Sequence, residues 1–488
     1  MTDADTVEPT DEVTDTRSRA SDDVVPPPGT LVGQRFAAWL TGIAVVAFGV
    51  RVWTLTSVAD FTPDNGDPFW YHQQANDLVD GRWFIDPFIH RATGEFVPGA
   101  QHPPLYTMWL SISSLLGADS YTSHKVMSCL AGVLAVVLIG LAARAAAGAR
   151  AGLIAAGLAA VYPPLWVIDG LLWPEGLFAA MIALSVLFAY RWRRSASLPD
   201  AIGLGVAIAL ATLTRGEAVG LLVVLVLPLM VLRPSLTWRI RLIHLAAAGL
   251  AFIVLVAPWS IRNLVSYERF MPLSTNTDEV FVYANNPYAY GTADRTNVCT
   301  AAQSRYEGTP DGVTLDATGS TYLGFWYFPW EVYQRCIGGE PPGDVSQKSE
   351  YWRKMGLEYA KDNLDRFPVV AAARVGRVWD VWRPFQNAFF LKTEGRNQTV
   401  SNIGVWCWWA VAALAIYGAV VLRRRGQTIL PFVSLAVLIT VTAVYGYGTD
   451  RFRVPIDVAA LILAGAAIDA LLRARQRHST TSTAGDAG

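Results

Sequence analysis

Ten apolar runs divide the chain, and polar or basic residues separate them. A helix needs about 20 apolar residues to cross a bilayer core about 30 Å thick. The runs lie near 36–57, 124–143, 150–168, 172–190, 199–214, 216–232, 241–261, 403–422, 428–447 and 454–472. The pattern predicts an all-α polytopic membrane protein with about ten transmembrane helices, interfacial helices in the first outer loop and a mixed extracytoplasmic segment.

A further apolar run, 103–117, is ambiguous because it is short and begins with two prolines. Lysine and arginine collect in short cytoplasmic loops. Five basic clusters follow or join the runs: Arg144 with Arg150; Arg191, Arg193 and Arg194; Arg233, Arg239 and Arg241; Arg423, Arg424 and Arg425; and Arg473, Arg475 and Arg477. All five fall inside only if run 103–117 does not cross. We therefore expect that run to lie along the outer surface.

This topology divides the chain into five regions. They are a disordered cytoplasmic tail (1–35), an N-terminal transmembrane catalytic module (36–261) that contains the first outer loop (58–123), an extracytoplasmic segment (262–402), the C-terminal transmembrane helices (403–472) and a second cytoplasmic tail (473–488).

The extracytoplasmic segment begins with turn-rich polar sequence and then predicts two helices. One covers about 346–365, and the other, 369–385, alternates apolar residues with arginines as a basic amphipathic helix at the membrane surface does. A small soluble cap without a catalytic role is the alternative. Cys299 and Cys336 lie in this segment and, outside the cell, are a candidate disulfide pair.

Composition limits the possible functions. Hydrophobic residues make up 52% of the chain and charged residues 16%, against about 25% charge in soluble domains. No basic tract suggests nucleic acid as a partner. A transporter or flippase would place charges at mid-span, whereas most charges here lie at span ends or in outer loops.

The first outer loop carries the most informative acid. Asp67 precedes Pro68, which could begin a helix, so Asp67 would be the N-cap with its carboxylate at the membrane face. The simpler interpretation is that Asp67 only caps this helix. A His-Pro-Pro-Leu-Tyr stretch beginning at His102 follows at the entrance to the membrane, and this combination favours a functional role.

Six motifs between about residues 40 and 470 occur in the order seen in one enzyme group. They are Gly66-Asp67 with Tyr71 and Ala75; His102-Pro103-Pro104-Leu105-Tyr106; Trp173-Pro174-Glu175; Leu213-Thr214-Arg215; Pro258-Trp259 with Arg262-Asn263; and Arg451-Phe452-Arg453-Val454-Pro455. The chain thus resembles the lipid-dependent membrane glycosyltransferases of the C-type fold. Within this group it resembles the branch of the protein O-mannosyltransferases and lipid A aminoarabinose transferases, which is like glycosyltransferase family 39.

One departure from the family pattern leaves two questions open. The mannosyltransferases usually show an Asp-Glu pair in this loop, whereas Asp67 is followed by Pro68 and the other acid, Asp64, comes before it. The choice of base between these aspartates and the class of acceptor therefore stay open. We favour Asp67.

The resemblance implies a donor in which a sugar is joined by phosphate to a long isoprenoid lipid. A carboxylate would take the proton of the attacking acceptor hydroxyl, and cations would stabilise the leaving phosphate. The resemblance favours Arg262, Arg451 and Arg453 as these cations, with Arg215 as a further candidate. Each arginine could instead only anchor a helix end at the membrane surface.

Other polar residues are candidates for substrate binding. Glu175 and Glu217 lie at outer turns, where either could bind sugar hydroxyls, although Glu175 also suits a helix start. His102 could orient Asp67 or be an ordinary packed histidine, and Tyr71 would form part of an aromatic wall. Asp64 and Asp67 could share a cation as in the oligosaccharyltransferase relatives, but we expect neither a metal nor a cofactor.

The sequence therefore predicts an inverting glycosyltransferase at the outer face of the plasma membrane. It would move a sugar from a polyprenyl-phosphate carrier to an envelope acceptor, which could be glycan, lipid or protein. The alternatives are a transporter or flippase of a lipid-linked sugar, and a ligase of whole lipid-linked glycans. Neither the sugar nor the acceptor is identified.

The topology makes the first testable prediction. Single cysteines placed near Asn297 and Lys392 should react with a membrane-impermeant thiol reagent added outside intact cells, because those positions lie in the extracytoplasmic segment. Cysteines placed near Arg193 and Arg424 should react only after the membrane is opened. Labelling of the Arg193 position from outside would contradict the topology.

Overall fold

The computed structural model describes residues 31–57, 66–291, 323–325, 341 and 343–485. Within these residues the fold is all-helical, as predicted, with one isolated antiparallel bridge between Ile85 and Pro98. Asp64, Cys299 and Cys336 lie outside the described residues. The predictions that concern them stay predictions.

Eighteen α-helices follow one another through the described residues. They are α1 (Leu31–Ser57), α2 (Gly66–Val79), α3 (Pro87–Thr93), α4 (Leu105–Leu115), α5 (Tyr121–Ala147), α6 (Ala149–Val161), α7 (Pro163–Asp169), α8 (Glu175–Ser195), α9 (Leu198–Thr214), α10 (Leu227–Val231), α11 (Trp238–Ser266), α12 (Asn276–Ala284), α13 (Val345–Asp362), α14 (Phe367–Val378), α15 (Pro384–Phe390), α16 (Gln398–Arg424), α17 (Leu430–Tyr445) and α18 (Val454–Gly485). Short 3₁₀ helices cover Gly216–Gly220, Leu391–Glu394 and Asp450–Arg453, and a π-helix covers Leu222–Val226.

Six helices among the described residues are long and apolar enough to cross a membrane. They are Gln34–Ser57, Tyr121–Ala147, Glu175–Ser195, Trp238–Ser266, Gln398–Arg424 and Asp450–Gln476. Helices α6 and α7 meet at 52° and make a seventh candidate if they form one broken span. The chain is thus a multi-pass membrane protein. The three remaining predicted runs coincide with shorter apolar helices, so the count of ten stays a prediction.

The helix that covers residues 216–231 is short because its backbone is irregular. It begins as a 3₁₀ turn, continues as a π-helix and becomes α-helical only at Leu227. Residues of the 3₁₀ turn, among them Glu217 and Gly220, line the cavity described below, whereas those of the π-helix are not among its lining residues.

Glycines allow the closest approaches between helices. A Cβ atom on Gly205 of α9 would lie 2.1 Å from the carbonyl oxygen of Ala248 in α11. One on Gly418 of α16 would lie 2.0 Å from the carbonyl oxygen of Leu463 in α18. Small residues at such crossings let helices pack tightly where lipid removes the hydrophobic driving force.

A buried ion pair fastens α1 to the rest of the bundle. The Nε of Arg51 donates to Oδ2 of Asp169 at 2.7 Å, and neither side chain is more than 1% exposed. Removal of one partner of a buried pair typically costs about 3–5 kcal/mol. Gly132 leaves room for the carboxylate, since a Cβ there would lie 2.0 Å from Oδ2 of Asp169.

In the first loop (58–123), run 103–117 forms the short helix α4, as expected of a segment that does not cross. Its 11 residues extend for about 16 Å, roughly half the hydrocarbon thickness. Thr107 donates to Gln74 at 3.1 Å and Ser114 donates to Asn76 at 2.7 Å, so α4 packs along α2. These contacts build a compact platform beside the bundle.

In the long polar segment (262–402), the first predicted helix is confirmed as α13. A capping box formed by Asp344 and Gln347 lies at the start of this helix. The second prediction was wrong in length, because α14 ends at Val378. Two non-glycine residues with left-handed backbone, Asp380 and Arg383, break the helical path after it.

The prediction of a basic face on this second helix was also wrong. Arg374 and Arg377 are fully buried. Arg374 donates to the carbonyl oxygen of Val444 at 2.9 Å, and Arg377 donates to that of Leu323 at 2.8 Å. Backbone carbonyls and amide side chains therefore hold these guanidinium groups inside the protein, where they join separate parts of the chain.

The fit of Gly132 around the buried ion pair is testable. Gly132→Ala should lower the thermal unfolding midpoint of the detergent-solubilised protein, because the added methyl group displaces the Asp169 carboxylate from Arg51. Overpacking of this kind typically costs about 1–3 kcal/mol. Gly42→Ala is the matched control, since no heavy atom lies within 4 Å of its Cβ position. Equal midpoints for the two variants would contradict this description.

Candidate active site

A cavity of about 330 Å³ lies where the first loop, the long polar segment and several helix ends meet. Its charged lining residues are Asp67, Arg215, Glu217 and Arg451, with Tyr71 and His102 beside them. The apolar lining includes Val219, Leu273, Val280, Leu438, Val441 and Phe452. The cavity therefore combines charged groups with an apolar wall next to the helix bundle.

Asp67 lies in the first turn of α2, which begins at Gly66. Asp67 is the second residue of the helix, so the prediction that it is the N-cap was wrong. Its carboxylate extends into the cavity, where Oδ1 lies 3.4 Å from Nε2 of His102 and Oδ2 lies 3.7 Å from Nη2 of Arg451. The side chain is 24% exposed, so a ligand in the cavity can reach it.

Aromatic packing fixes His102. Its ring stacks on Tyr71 with centroids 4.7 Å apart, and Trp70 meets it edge-on at 6.0 Å. Tyr71 in turn packs against Tyr106, which donates to Ser128 at 2.9 Å. The structure thus brings Tyr71, His102 and Asp67 together, as the sequence predicts.

The surroundings of Asp67 hold its carboxyl group ionised. Burial by itself would raise the pKa of Asp67, but the charge and polar contact of His102 and the charges of Arg451 and Arg215 outweigh that effect. Together they lower the pKa from 3.8 to about 2. The groups that hold this charge are therefore side chains from three separate parts of the chain.

Arg451 is the most highly connected residue of the site. Its Nε donates to Glu175 at 2.9 Å, its Nη1 donates to Glu394 at 3.1 Å, and Nη2 faces Asp67. The guanidinium carbon lies 3.9 Å from the ring centroid of Trp173. Arg451 therefore links the first loop, α8 and the long polar segment.

Arg215 extends this network to the other side of the cavity. Its Nη1 donates to Oε1 of Glu175 at 2.7 Å, and its Nε donates to Glu217 at 2.7 Å. Oε1 of Glu175 thus accepts from both Arg215 and Arg451. The other carboxylate oxygen, Oε2, is buried without a hydrogen-bond partner among the described residues.

Two arginines predicted to bind the donor phosphate point elsewhere. Arg453 is 2% exposed and pairs with Asp380 and, at 3.1 Å, with Asp457. Arg262 donates to the carbonyl oxygens of Phe84 and Gly99 at 2.7 and 3.2 Å. Neither residue is among those that line the cavity.

Sequence reasoning missed Glu394 and Tyr447. Tyr447 lines the cavity, and burial raises its pKa to about 12. Glu394 lies in the long polar segment, where no pattern distinguishes it from other acids. The one available signal is its position four residues before the apolar run of α16, which places it at the membrane-facing edge of that segment.

Comparison with known proteins tests the resemblance to the membrane glycosyltransferases. Residues 101–261, about a third of the chain, match the family model described as dolichyl-phosphate-mannose-protein mannosyltransferase. The predicted family resemblance is confirmed. The mannosyltransferase match includes His102, Glu175 and Arg215, whereas Asp67 and Arg451 lie outside it. No curated protein matches the chain by sequence.

Solved structures show the same fold. The oligosaccharyltransferase AglB of Archaeoglobus fulgidus, in complex with an inhibitory peptide and a dolichol-phosphate, has 16% identity and a TM-score of 0.50 over 92% of this chain and 52% of its own. Its apo form has 13% identity and a TM-score of 0.51 with the same coverage. This chain therefore spans about half the length of the archaeal enzyme.

A bacterial structure is also similar to this chain. ArnT from Cupriavidus metallidurans, bound to undecaprenyl phosphate, has 16% identity and a TM-score of 0.40 over 89% of this chain and 78% of its own. At such low identity the likeness to the archaeal enzyme shows the fold alone, and the still lower TM-score of ArnT adds nothing to it.

The lowered pKa of Asp67 predicts how stability depends on pH. A carboxyl group whose pKa is lower in the folded state stabilises the protein above its unfolded pKa of about 3.9 and loses that effect as pH falls through the folded value. Asp67→Asn should therefore lower the thermal midpoint at pH 6, and the difference from wild type should shrink between pH 4 and pH 2.

The control for this measurement is Asp80→Asn. Asp80 lies in the same loop with a side chain 57% exposed, so its loss should matter little at any pH. If Asp67→Asn is as stable as wild type at pH 6, then His102, Arg451 and Arg215 do not stabilise the ionised carboxylate of Asp67 as described.

Proposed function

We propose that this chain is an inverting glycosyltransferase that takes its sugar from a polyprenyl-phosphate carrier. The observation that carries the proposal is the shared cavity, in which the Asp67 carboxylate and the Arg451 guanidinium lie 3.7 Å apart beside an apolar wall. A base for the acceptor hydroxyl and a cation for the leaving phosphate are the two groups that this reaction needs.

The leaving phosphate would bind to Arg451 and Arg215. Both arginines line the cavity and can form charge-assisted hydrogen bonds with phosphate oxygens. The donor's isoprenoid chain would extend along the apolar side, past residues such as Val441. The archaeal relative of the same fold was solved with a dolichol-phosphate, which is consistent with a donor of this class.

The chemical step is a single displacement. The acceptor oxygen attacks the anomeric carbon, the bond from that carbon to the phosphate oxygen breaks, and the bond's electron pair leaves with the polyprenyl phosphate. The acceptor's proton passes to Asp67. Attack on the face opposite the phosphate inverts the anomeric configuration.

Donor binding would also make Asp67 a better base. In the free site Arg451 and Arg215 help to lower the pKa of Asp67 to about 2, at which a carboxylate accepts a proton poorly. A bound phosphate competes for both arginines and adds negative charge nearby, so it raises the pKa of Asp67 towards its ordinary value. Proton transfer is thereby favoured only when a donor is present.

Glu175 would orient the two arginines rather than contact the sugar. Its Oε1 accepts from both Arg215 and Arg451. The side chain is fully buried and is not among the residues that line the cavity. The sugar-binding role expected from the sequence is therefore replaced here by a supporting role behind the two cations.

Arg262 and Arg453 would support the site from a distance. Arg262 ties the end of α11 to the first loop, and Arg453 holds the start of α18 against Asp380. Of the arginines expected to bind the phosphate, we therefore retain Arg451, with Arg215 as its partner, and give Arg262 and Arg453 a supporting role.

The membrane arrangement proposed for this enzyme has ten spans, with the cavity facing the outside of the plasma membrane. Each of the ten apolar runs overlaps helical structure, although run 150–168 is divided between α6 and α7 and run 216–232 is irregular. With ten spans the five basic clusters would share the cytoplasmic side. Arg215 and Arg451, which line the cavity, and Glu175, which binds both of them, lie at helix ends. That position suits chemistry at the membrane surface better than transport across it.

The proposal is tested by a transfer assay in liposomes, with a labelled polyprenyl-phosphate sugar as donor and an envelope fraction as acceptor. Asp67→Asn should reduce transfer by about 10²–10⁴-fold, because it keeps the shape of the side chain but cannot accept the proton. Asp64→Asn should cost much less. Asp80→Asn, on the exposed side of the same loop, is the control and should behave as wild type.

Two results would overturn this assignment. If Asp64→Asn abolishes transfer and Asp67→Asn does not, the base is Asp64. If wild type transfers sugar and neither variant transfers it more slowly, the proposed mechanism fails.

A further inference from the structure

Glu394 closes a ring of alternating charges around Arg451. Its side chain is 7% exposed; Oε1 accepts from Nη1 of Arg451 at 3.1 Å, and Oε2 accepts from Arg396 at 3.2 Å. Arg396 in turn donates to Asp450 at 3.2 Å. Asp450 is the residue before Arg451, so the ring returns through the backbone to its starting point.

The backbone of Glu394 makes a second connection to the same arginine. Its carbonyl oxygen accepts from Nε1 of Trp173 at 3.5 Å, and Trp173 is the ring on which Arg451 stacks at 3.9 Å. One residue of the long polar segment thus fixes both an edge of the guanidinium group and the surface beneath it.

The three carboxylates around Arg451 occupy different nitrogens at different distances. Glu175 and Glu394 lie at 2.9 and 3.1 Å, while Asp67 lies at 3.7 Å. Coulomb attraction falls with distance, so the two glutamates hold the guanidinium group more strongly than Asp67 does. Without the charge on Glu394, the guanidinium would be drawn towards the remaining acids.

We propose that Glu394 is a positioning residue that holds Arg451 off Asp67, so that the guanidinium meets the donor phosphate while the carboxylate stays open to the acceptor. This inference rests on the function proposed above. It also gives the long polar segment a part in catalysis, since neutralising Glu394 would let Arg451 close on the base.

Glu394→Gln tests this role because it keeps the volume and removes the charge. In liposomes containing a labelled polyprenyl-phosphate sugar, Glu394→Gln should lower kcat/KM for the donor by about 10- to 100-fold. Both a higher donor KM and a lower kcat should contribute, because Arg451 would move away from the phosphate and close on the base. Glu394→Asp retains the charge and should recover most of the loss.

Glu350→Gln is the matched control. Glu350 pairs with Arg269 at 3.1 Å and Lys354 at 3.0 Å on α13, and it does not line the cavity. Arg396→Gln breaks the ring one step away from Arg451, so it should raise the donor KM less than Glu394→Gln does. Thermal midpoints of all the variants separate lost function from lost folding.

The outcomes distinguish the two proposals. If wild type transfers sugar and Glu394→Gln matches Glu350→Gln, the inference is overturned and the proposed function stands. The inference is also overturned if a folded Glu394→Asp is as impaired as Glu394→Gln. If Glu394→Gln does not fold, the donor KM of Arg396→Gln decides, and a wild-type value overturns the inference. If wild type uses no lipid-phosphate sugar, both proposals fail.

Discussion

The guanidinium group of Arg451 holds together four parts of the chain that are distant in sequence. It faces Asp67 of the first loop, bonds Glu175 at the start of α8 and Glu394 in the long polar segment, and precedes α18. A guanidinium buried in this way needs anionic partners, because an unpaired buried charge is costly. The cavity exists in its present form because these acids converge on one cation.

In the site without a ligand, Arg451 and Arg215 are both paired with carboxylates. On the proposed mechanism an entering phosphate would compete with Glu175 and Glu217 for their donors, while Glu394 keeps Arg451 in place. Neutral ligands gain nothing from such a competition, whereas a phosphate gains charge-assisted bonds. On the proposed mechanism the site favours a donor with an anionic leaving group, and Asp67 would become a stronger base as that group arrives.

The sequence predicted the apolar helices and much of the site, since Asp67, Tyr71, His102, Arg215 and Arg451 all lie in recognisable motifs and all line the cavity. Periodicity could not show that residues 216–226 would depart from the α-helix. It also could not separate Arg451 from Arg453. These arginines are two apart on a short 3₁₀ helix, so their side chains leave it in different directions and only one reaches the cavity. Glu394 escaped notice because its partner lies 57 residues away, and only the folded chain brings the two charges together.

The central claim is that a polyprenyl-phosphate sugar is cleaved beside Arg451. The most direct measurement is the release of polyprenyl phosphate by protein in liposomes, from a panel of labelled polyprenyl-phosphate sugars with an envelope acceptor. Wild type should release the lipid phosphate from at least one donor. Arg451→Gln should release it about 10- to 100-fold more slowly at limiting donor, and Arg262→Gln, outside the cavity, should be much less affected. No release from any donor, or equal release by wild type and Arg451→Gln, would contradict the account.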